Sequence, residues 1–285
     1  EDKPSLPCVN LPPYQFEQTR HWIDYKPSPC SSQPSQLQSS LVTLINPADA
    51  DGTCLFSVDT SNPIFDLATR GHAVVGQGLC PASMYIELAI QSAVLLHKNL
   101  DTIQSSPHIE GLTISSPLGL EADLYLRLAI VRPGSWDFRI FSKSLDQKEH
   151  GTGRVTMSGP NDMAAGLRLK LLQKIAPPSS LTRIIDCPDR TTIGGSILYQ
   201  LFQDVVHYAP YYRGVKSVSA MGNEAVGFID VPQEFPTFLD KMTICHPIDL
   251  DNFLQVAGIH VNCLSLRRDD EVFMCTAVDE VIFGP

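Results

Sequence analysis

The sequence predicts an α+β fold in which one long apolar helix, wrapped by antiparallel strands, occurs twice. Three observations carry this. The stretches PASMYIELAIQSAVLLH and HPIDLDNFLQVAGIHVNC each read as a helix with a wide apolar face. Short alternating stretches of strand character surround both. The 285 residues, 43% of them hydrophobic, suffice for two similar subdomains packed together.

Residues 1–40 are rich in Pro, Ser and Gln and hold one aromatic island, LPPYQFEQTRHWIDY, in which Tyr14, Phe16, Trp22 and Tyr25 would pin an extended linker to a neighbour. From Leu41, LVTLIN and TCLFSV read as strands, followed by the helix-like PIFDLATR. The first long helix follows Pro81, which with Ser83 marks its start, and Met84, Leu88, Ala89, Ile90, Ala93, Leu95 and Leu96 cover its faces. Leu124, Leu126, Leu128 and Ile130 alternate along one strand, Trp136, Phe138 and Ile140 along the next. Arg132, Pro133 and Gly134 join them as a hairpin.

Residues 161–190, with APPSS and CPDR, read as a connection, after which the order of elements recurs. A helix over GGSILYQLFQDVV presents Ile197, Leu201 and Val205; VKSVSA and AVGFIDV are strands; a second buried helix runs from Pro247 to Cys263. This order, without visible sequence repetition, describes a double hot-dog. Its N-terminal half is 41–160 and its C-terminal half 191–285, the latter short of the strands that would wrap its helix.

Composition excludes several classes. A formal charge of −10 and a pI near 5.2 do not suit a surface that covers nucleic-acid phosphates. No apolar run reaches the roughly 20 residues of a membrane span, and EDKPSLPCVN is no signal peptide, so a cytoplasmic location is expected. Eight cysteines show no CxxC pair and read as reduced, buried, small hydrophobes. His246 and His260 lack a third ligand at suitable spacing, and no GxSxG, P-loop, HExxH or dinucleotide motif occurs, so neither metal nor cofactor is expected. The absence of an initial Met and the apolar ending VIFGP read as a piece cut from a longer polypeptide.

Three motifs carry chemistry. His72-Ala-Val-Val-Gly76-Gln-Gly-Leu-Cys-Pro81 precedes the first long helix, where a histidine could act as acid or base and Gly76 would let substrate approach the backbone. The same pattern suits a structural histidine. His246-Pro247-Ile-Asp249-Leu-Asp251-Asn-Phe-Leu-Gln255 opens the second helix, and Asp251, Gln255, Gly258 and Asn262 form a narrow line down it. Helix capping explains Asp249 or Asp251 equally well, but not Gln255 one turn on. His207-Tyr208-Ala-Pro210-Tyr211-Tyr212-Arg213-Gly214 is an aromatic turn that lines a pocket or plugs the edge of the core.

These motifs, in this order, resemble the HxxxGxxxxP, YGPxFxG and HPxxxDxxxQ/H signatures of polyketide synthase dehydratases. CPASMYIELA and DNFLQVAGIHVN are similar to the product template domain of fungal non-reducing polyketide synthases, and the island in residues 1–40 resembles the linker that joins their preceding acyltransferase domain to it. The resemblance implies a double hot-dog in which His72 is the general base and Asp251 its partner. Gln255, Gly76, Pro81, Tyr212, Asn262 and Thr276 would then bind substrate, although relatives often carry Asn or His in place of Thr276. The implied activity is intramolecular aldol cyclisation and aromatisation of a poly-β-ketone. The chain would arrive on the phosphopantetheine arm of an acyl carrier protein, beside acyltransferase and ketosynthase domains of the same synthase and within a homodimer. A β-hydroxyacyl dehydratase and a non-catalytic carrier-docking scaffold are the alternatives.

Overall fold

A computed structural model describes residues 41–97, 105–120, 123–143, 147–159, 162–230, 243–268 and 271–283. The chain divides into two compact units, Glu1–Ser35 and Gln36–Pro285; the first, with the aromatic island, lies outside the described residues.

In chain order the elements are β1 (Val42–Asn46), β2 (Thr53–Val58), α1 (Pro63–Arg70), β3 (His72–Val74), β4 (Gln77–Gly78), α2 (Ala82–His97) and β5 (Ser106–Ile114). Then come β6 (Leu124–Arg132), β7 (Ser135–Ser142), β8 (Glu149–Ser158), α3 (Met163–Ile175), α4 (Pro178–Asp186) and β9 (Thr191–Gly194). The last are α5 (Gly195–Phe202), β10 (His207–Tyr208), β11 (Val215–Met221), β12 (Glu224–Ile229), α6 (Pro247–Ile259) and β13 (Ala277–Ile282).

A seven-stranded antiparallel sheet, ordered β1-β2-β6-β7-β8-β5-β13, forms the first half, and α2 packs against β1, β5, β6, β7 and β8. Every residue of α2 from Ala82 to Ala93 is buried, as expected of a helix apolar nearly all round. The β6–β7 hairpin turns at Pro133-Gly134, with Gly134 at φ +76, the proline-then-positive-φ arrangement of a type II turn. Leu124, Leu126 and Leu128 face the core with Trp136, Phe138 and Ile140. Ile130 does not: it is half exposed because the strand end has passed the core, and its side chain covers Gly52.

The second half is a smaller sheet, β12-β11-β9, with α6 packed on β11, β12 and α2. The connection contains two helices, α3 and α4, rather than irregular chain. On α5 the buried pair is Leu198 and Phe202, while Ile197 and Leu201 are exposed, which corrects the expected face. Phe202 decides this, stacking on Tyr208 at 6.0 Å and lying against Gly258 of α6; Val205 is buried but sits beyond the helix end. The second long helix keeps its α geometry only to Ile259 and continues as a π-turn over His260–Leu264. β13 pairs with β5 and so extends the large sheet. Cys54 and Cys80 are buried as expected, but Cys187, Cys245 and Cys263 are half-buried and Cys275 is exposed. No helix among the described residues is long and apolar enough to cross a membrane.

Within the sheet, β8 is closely confined at Gly153, where an added Cβ would lie 2.7 Å from Phe138 Cζ on β7 and 3.1 Å from Leu112 Cα on β5. Gly153→Ala is therefore expected to destabilise the domain by about 1–3 kcal/mol, read as a lower midpoint in urea denaturation with an unchanged slope.

Candidate active site

His72 opens β3, a strand of three residues made possible by the two-residue turn Val75-Gly76, with φ of 50 and 76. Consecutive positive φ values fit the tight turn that matches strand twist, which gives Gly76 a conformational reason to be glycine. That turn is exposed. β4 then leads through Pro81 into α2, and the His72 Nδ1 lies 3.0 Å from the Leu79 carbonyl. A carbonyl only accepts, so Nδ1 carries the hydrogen and Nε2 is left with its lone pair. β10 pairs with β3, setting Tyr208 opposite His72, and the two rings meet edge to face at 5.4 Å. The Tyr212 ring stands 6.4 Å from His72.

Asp251 comes from α6. The helix begins with His246 as N-cap, its ring accepting the Asp249 amide, and with Pro247 in the first turn. Asp249 is thus an exposed first-turn residue, whereas Asp251 is buried two residues on, which separates the two aspartates. Burial raises the Asp251 carboxyl above its ordinary range; the charge of His72 and hydrogen bonds from Gln255 and Tyr208 pull the other way. Tyr208, fully buried, is itself pushed well up by desolvation and by Asp251, so it stays a phenol and donates.

Gln255 is held from both ends. Its Nε2 donates to Asp251 Oδ2 at 3.0 Å and to the Tyr212 carbonyl at 3.1 Å, while its Oε1 accepts Tyr199 Oη at 2.9 Å. Tyr199 in turn accepts the Val215 amide at 3.0 Å. The chain of donors fixes which end of the amide faces Asp251. Asn252 braces the aromatic turn by accepting the Gly214 amide at 2.9 Å, and Tyr212 donates to the Ala68 carbonyl at 2.9 Å.

His72, Asp251, Gln255 and Tyr212 therefore converge, and Pro81 is buried at the start of α2 close by in sequence. Asn262 stands apart: its amide is spent on the Gly258 and Phe273 carbonyls and the Phe273 amide, pinning the segment that follows α6. Thr276 is exposed, and its carbonyl accepts the Ile114 amide. Tyr208, Tyr199 and Asn252 belong to the cluster without having been singled out. Cys275 also lies near enough to Asp251 for its thiol to be raised by that charge as well as by burial. For Tyr208 the signal was its place in the aromatic turn beside His207; for Tyr199 none was visible.

Among the described residues one trio, His108, Glu110 and Glu280, brings candidate metal-ligand atoms within 4.8 Å of one another. It lies on the β5–β13 edge. Arg168 pairs with both carboxylates and His108 hydrogen-bonds Glu280, so these groups already serve one another.

Residues 177–285 match the family described as "Polyketide synthase dehydratase N-terminal domain". Along 97% of its length the chain is 42% identical to the non-reducing polyketide synthase trt4 of Aspergillus terreus and 40% identical to the non-reducing polyketide synthase ausA of Aspergillus calidoustus. It spans only 12% of each. The dehydratase domain from the CurF module of curacin polyketide synthase superposes with a TM-score of 0.63 at 18% identity, covering 85% of this chain and 83% of that one. The domain from the CurK module gives 0.60 at 21%, covering 84% and 79%. These two carry the hot-dog fold assignment. The C-terminal part of the chain thus resembles the polyketide synthase dehydratase domain, and 97% of the chain resembles one segment of a fungal non-reducing polyketide synthase. That segment matches the product template domain of such synthases.

The raised carboxyl has a consequence for stability. From an unfolded value of 3.8 the folded pKa moves up, so this group's contribution is fully present below about pH 4 and is lost as pH rises through the folded pKa. Asp251→Asn abolishes that loss while keeping an acceptor for Gln255. In urea titrations the variant is expected to be more stable than wild type at pH near 8, the two converging as pH falls towards about 4.

Proposed function

We propose that this domain catalyses the intramolecular aldol cyclisation and aromatisation of a poly-β-ketone carried as a thioester by an acyl carrier protein. The observation that supports it most is a histidine whose Nδ1 hydrogen is spent on the Leu79 carbonyl, so that Nε2 serves as the base, beside a buried carboxyl that stabilises the imidazolium once the proton is taken.

In a poly-β-ketone each methylene between two carbonyls is acidic. His72 Nε2 removes one such proton, and the enolate carbon attacks another carbonyl of the same chain. A carbon–carbon bond forms, and the electron pair of that carbonyl becomes an alkoxide. The His72 imidazolium returns its proton there, and Asp251 stabilises the imidazolium in between. Loss of water follows: His72, neutral again, takes the second proton of the same methylene carbon, the C–O electron pair leaves as hydroxide, and the His72 imidazolium supplies the proton that completes the water. Aromatic conjugation drives this step. Gln255 and Tyr208 act by holding Asp251, and the Tyr212 and Tyr208 rings limit where the chain lies. The domain itself then needs no cofactor, since the phosphopantetheine arm belongs to the carrier. Flanking domains of the same synthase supply and remove the chain.

The raised carboxyl also favours a second reading, dehydration of a β-hydroxyacyl thioester with His72 as base and Asp251 as acid. Both are tested in the intact synthase by mass spectrometry of products. His72→Ala is expected to slow ring closure about 10²- to 10⁴-fold and to divert the chain to spontaneously cyclised products. An unchanged ring pattern would sink the cyclase reading. Clean conversion of a supplied β-hydroxyacyl carrier to the enoyl thioester, without cyclisation of a polyketone, would establish the dehydratase instead.

A further inference from the structure

Glu87 lies midway along α2, fully buried, in a helix that is otherwise apolar. Its Oε1 accepts Gln91 Nε2 at 2.6 Å and the Ile244 amide at 2.8 Å, and its Oε2 accepts the Cys245 amide at 2.7 Å. Ile244 and Cys245 are not part of any helix: they are the two residues immediately before His246, the N-cap of α6. The carboxylate of one central helix thus receives the backbone that starts the other. Gln91 is fixed in its turn, because its Oε1 accepts the Leu41 amide at 3.2 Å, which leaves its Nε2 for Glu87.

The position matters because of what each helix carries. His72 is bonded to the Leu79 carbonyl, two residues before the Pro81 that leads into α2, so its ring moves with α2. Asp251 moves with α6, one turn after the amides that Glu87 holds. We propose that Glu87 is a positioning residue for the dyad: by accepting the Ile244 and Cys245 amides it sets where α6 begins relative to α2, and so where Asp251 stands relative to His72. This rests on the dyad being the catalytic pair of the proposed cyclase.

Chemistry explains why a carboxylate is placed here. Three donors point at its two oxygens, a set that an amide cannot satisfy, since its NH₂ would face an N–H. Cost explains why a merely structural role is a poor account. Burial pushes the Glu87 carboxyl up to about 7, against the pull of Gln91, of the two amides and of His246. The neighbouring Cys245 thiol is pushed to about 12 by burial first and by Glu87 second. A hydrophobic residue would fill the same space without that penalty but would leave the Ile244 and Cys245 amides without an acceptor, so the charge is kept where it holds those amides.

The test is made in the intact synthase with Glu87→Gln, and His72→Ala beside it. Three readouts are followed: the ratio of derailed to correctly cyclised product, the thermal midpoint, and hydrogen exchange by mass spectrometry. A positioning role gives a derailed fraction raised about tenfold or more, a thermal midpoint lowered only by the few degrees that one unmatched buried N–H costs, and faster exchange confined to the peptide spanning Ile244 to Asp251. Exchange that rises throughout α2 and the seven-stranded sheet, with a midpoint lowered beyond that, would mean a merely structural residue and overturn the proposal. So would an unchanged product ratio in Glu87→Gln where His72→Ala derails the chain. If neither variant changes the products, the cyclase reading falls with it. Wild type alone gives a check independent of the variant's folding: the Ile244 and Cys245 amides should exchange as slowly as those of α2, and rapid exchange there would refute the clasp.

Discussion

A helix with no wet side cannot leave a polar group to solvent, and from Ala82 to Ala93 α2 has none. Ser92 turns back on the Leu88 carbonyl, Gln91 ties the start of the first strand, and Glu87 reaches across to the approach of α6. Apart from Ser83, whose hydroxyl has none among the described residues, these buried polar groups find a partner inside the protein, and each becomes a tie with one permitted geometry. The second helix obeys the same constraint: Asn252 holds the aromatic turn, and Gln255 holds both Asp251 and Tyr212. The geometry of the His72–Asp251 cluster and the joining of the halves follow from one requirement, that two apolar helices meeting in a core satisfy the polar residues they carry.

Much of this was legible in the sequence, for stated reasons. Alternation marked β6 and β7, because both strands bury one face and wet the other. The run after Pro81 marked α2, and the unusual polar line of Asp251 and Gln255 in an apolar helix marked the site. Less was legible where tertiary contacts decide. β8 carries Gly151 and Gly153 at positions where Tyr85 and Phe138 leave no room for a side chain, so its pattern is not hydrophobic alternation. α5 turned the other way because Phe202 found Tyr208 and Gly258, which no local periodicity reveals. Asn262 continues the polar line in sequence, but the π-turn takes it out of register, and its amide serves the backbone instead.

The site sets stability against chemistry. A carboxyl raised by burial is poorly solvated in its charged form, and the fold tolerates this with two donors, Gln255 and Tyr208. In the proposed chemistry that carboxyl faces the charge that forms on the His72 ring. The two buried carboxyls, Asp251 and Glu87, stand on different helices and receive different donors: side chains for the first, mainly backbone for the second. Side-chain donors adjust as charge moves. Backbone donors fix a position.

The pairing of β13 with β5 bears on how the molecule is made. Strand β5 ends at Ile114, and the strand that covers its free edge begins only at Ala277. During synthesis at roughly 5–20 residues per second, that edge is left without its native neighbour for on the order of 10–30 seconds. An open edge is a template for pairing with another nascent chain. Pro107, which offers no N–H, and the polar pair His108 and Glu110 occupy β5 itself, and Arg168 on α3 emerges early enough to engage Glu110 before Glu280 exists. The sheet thus carries its own temporary guard, built from residues that later become part of the finished ion-pair cluster.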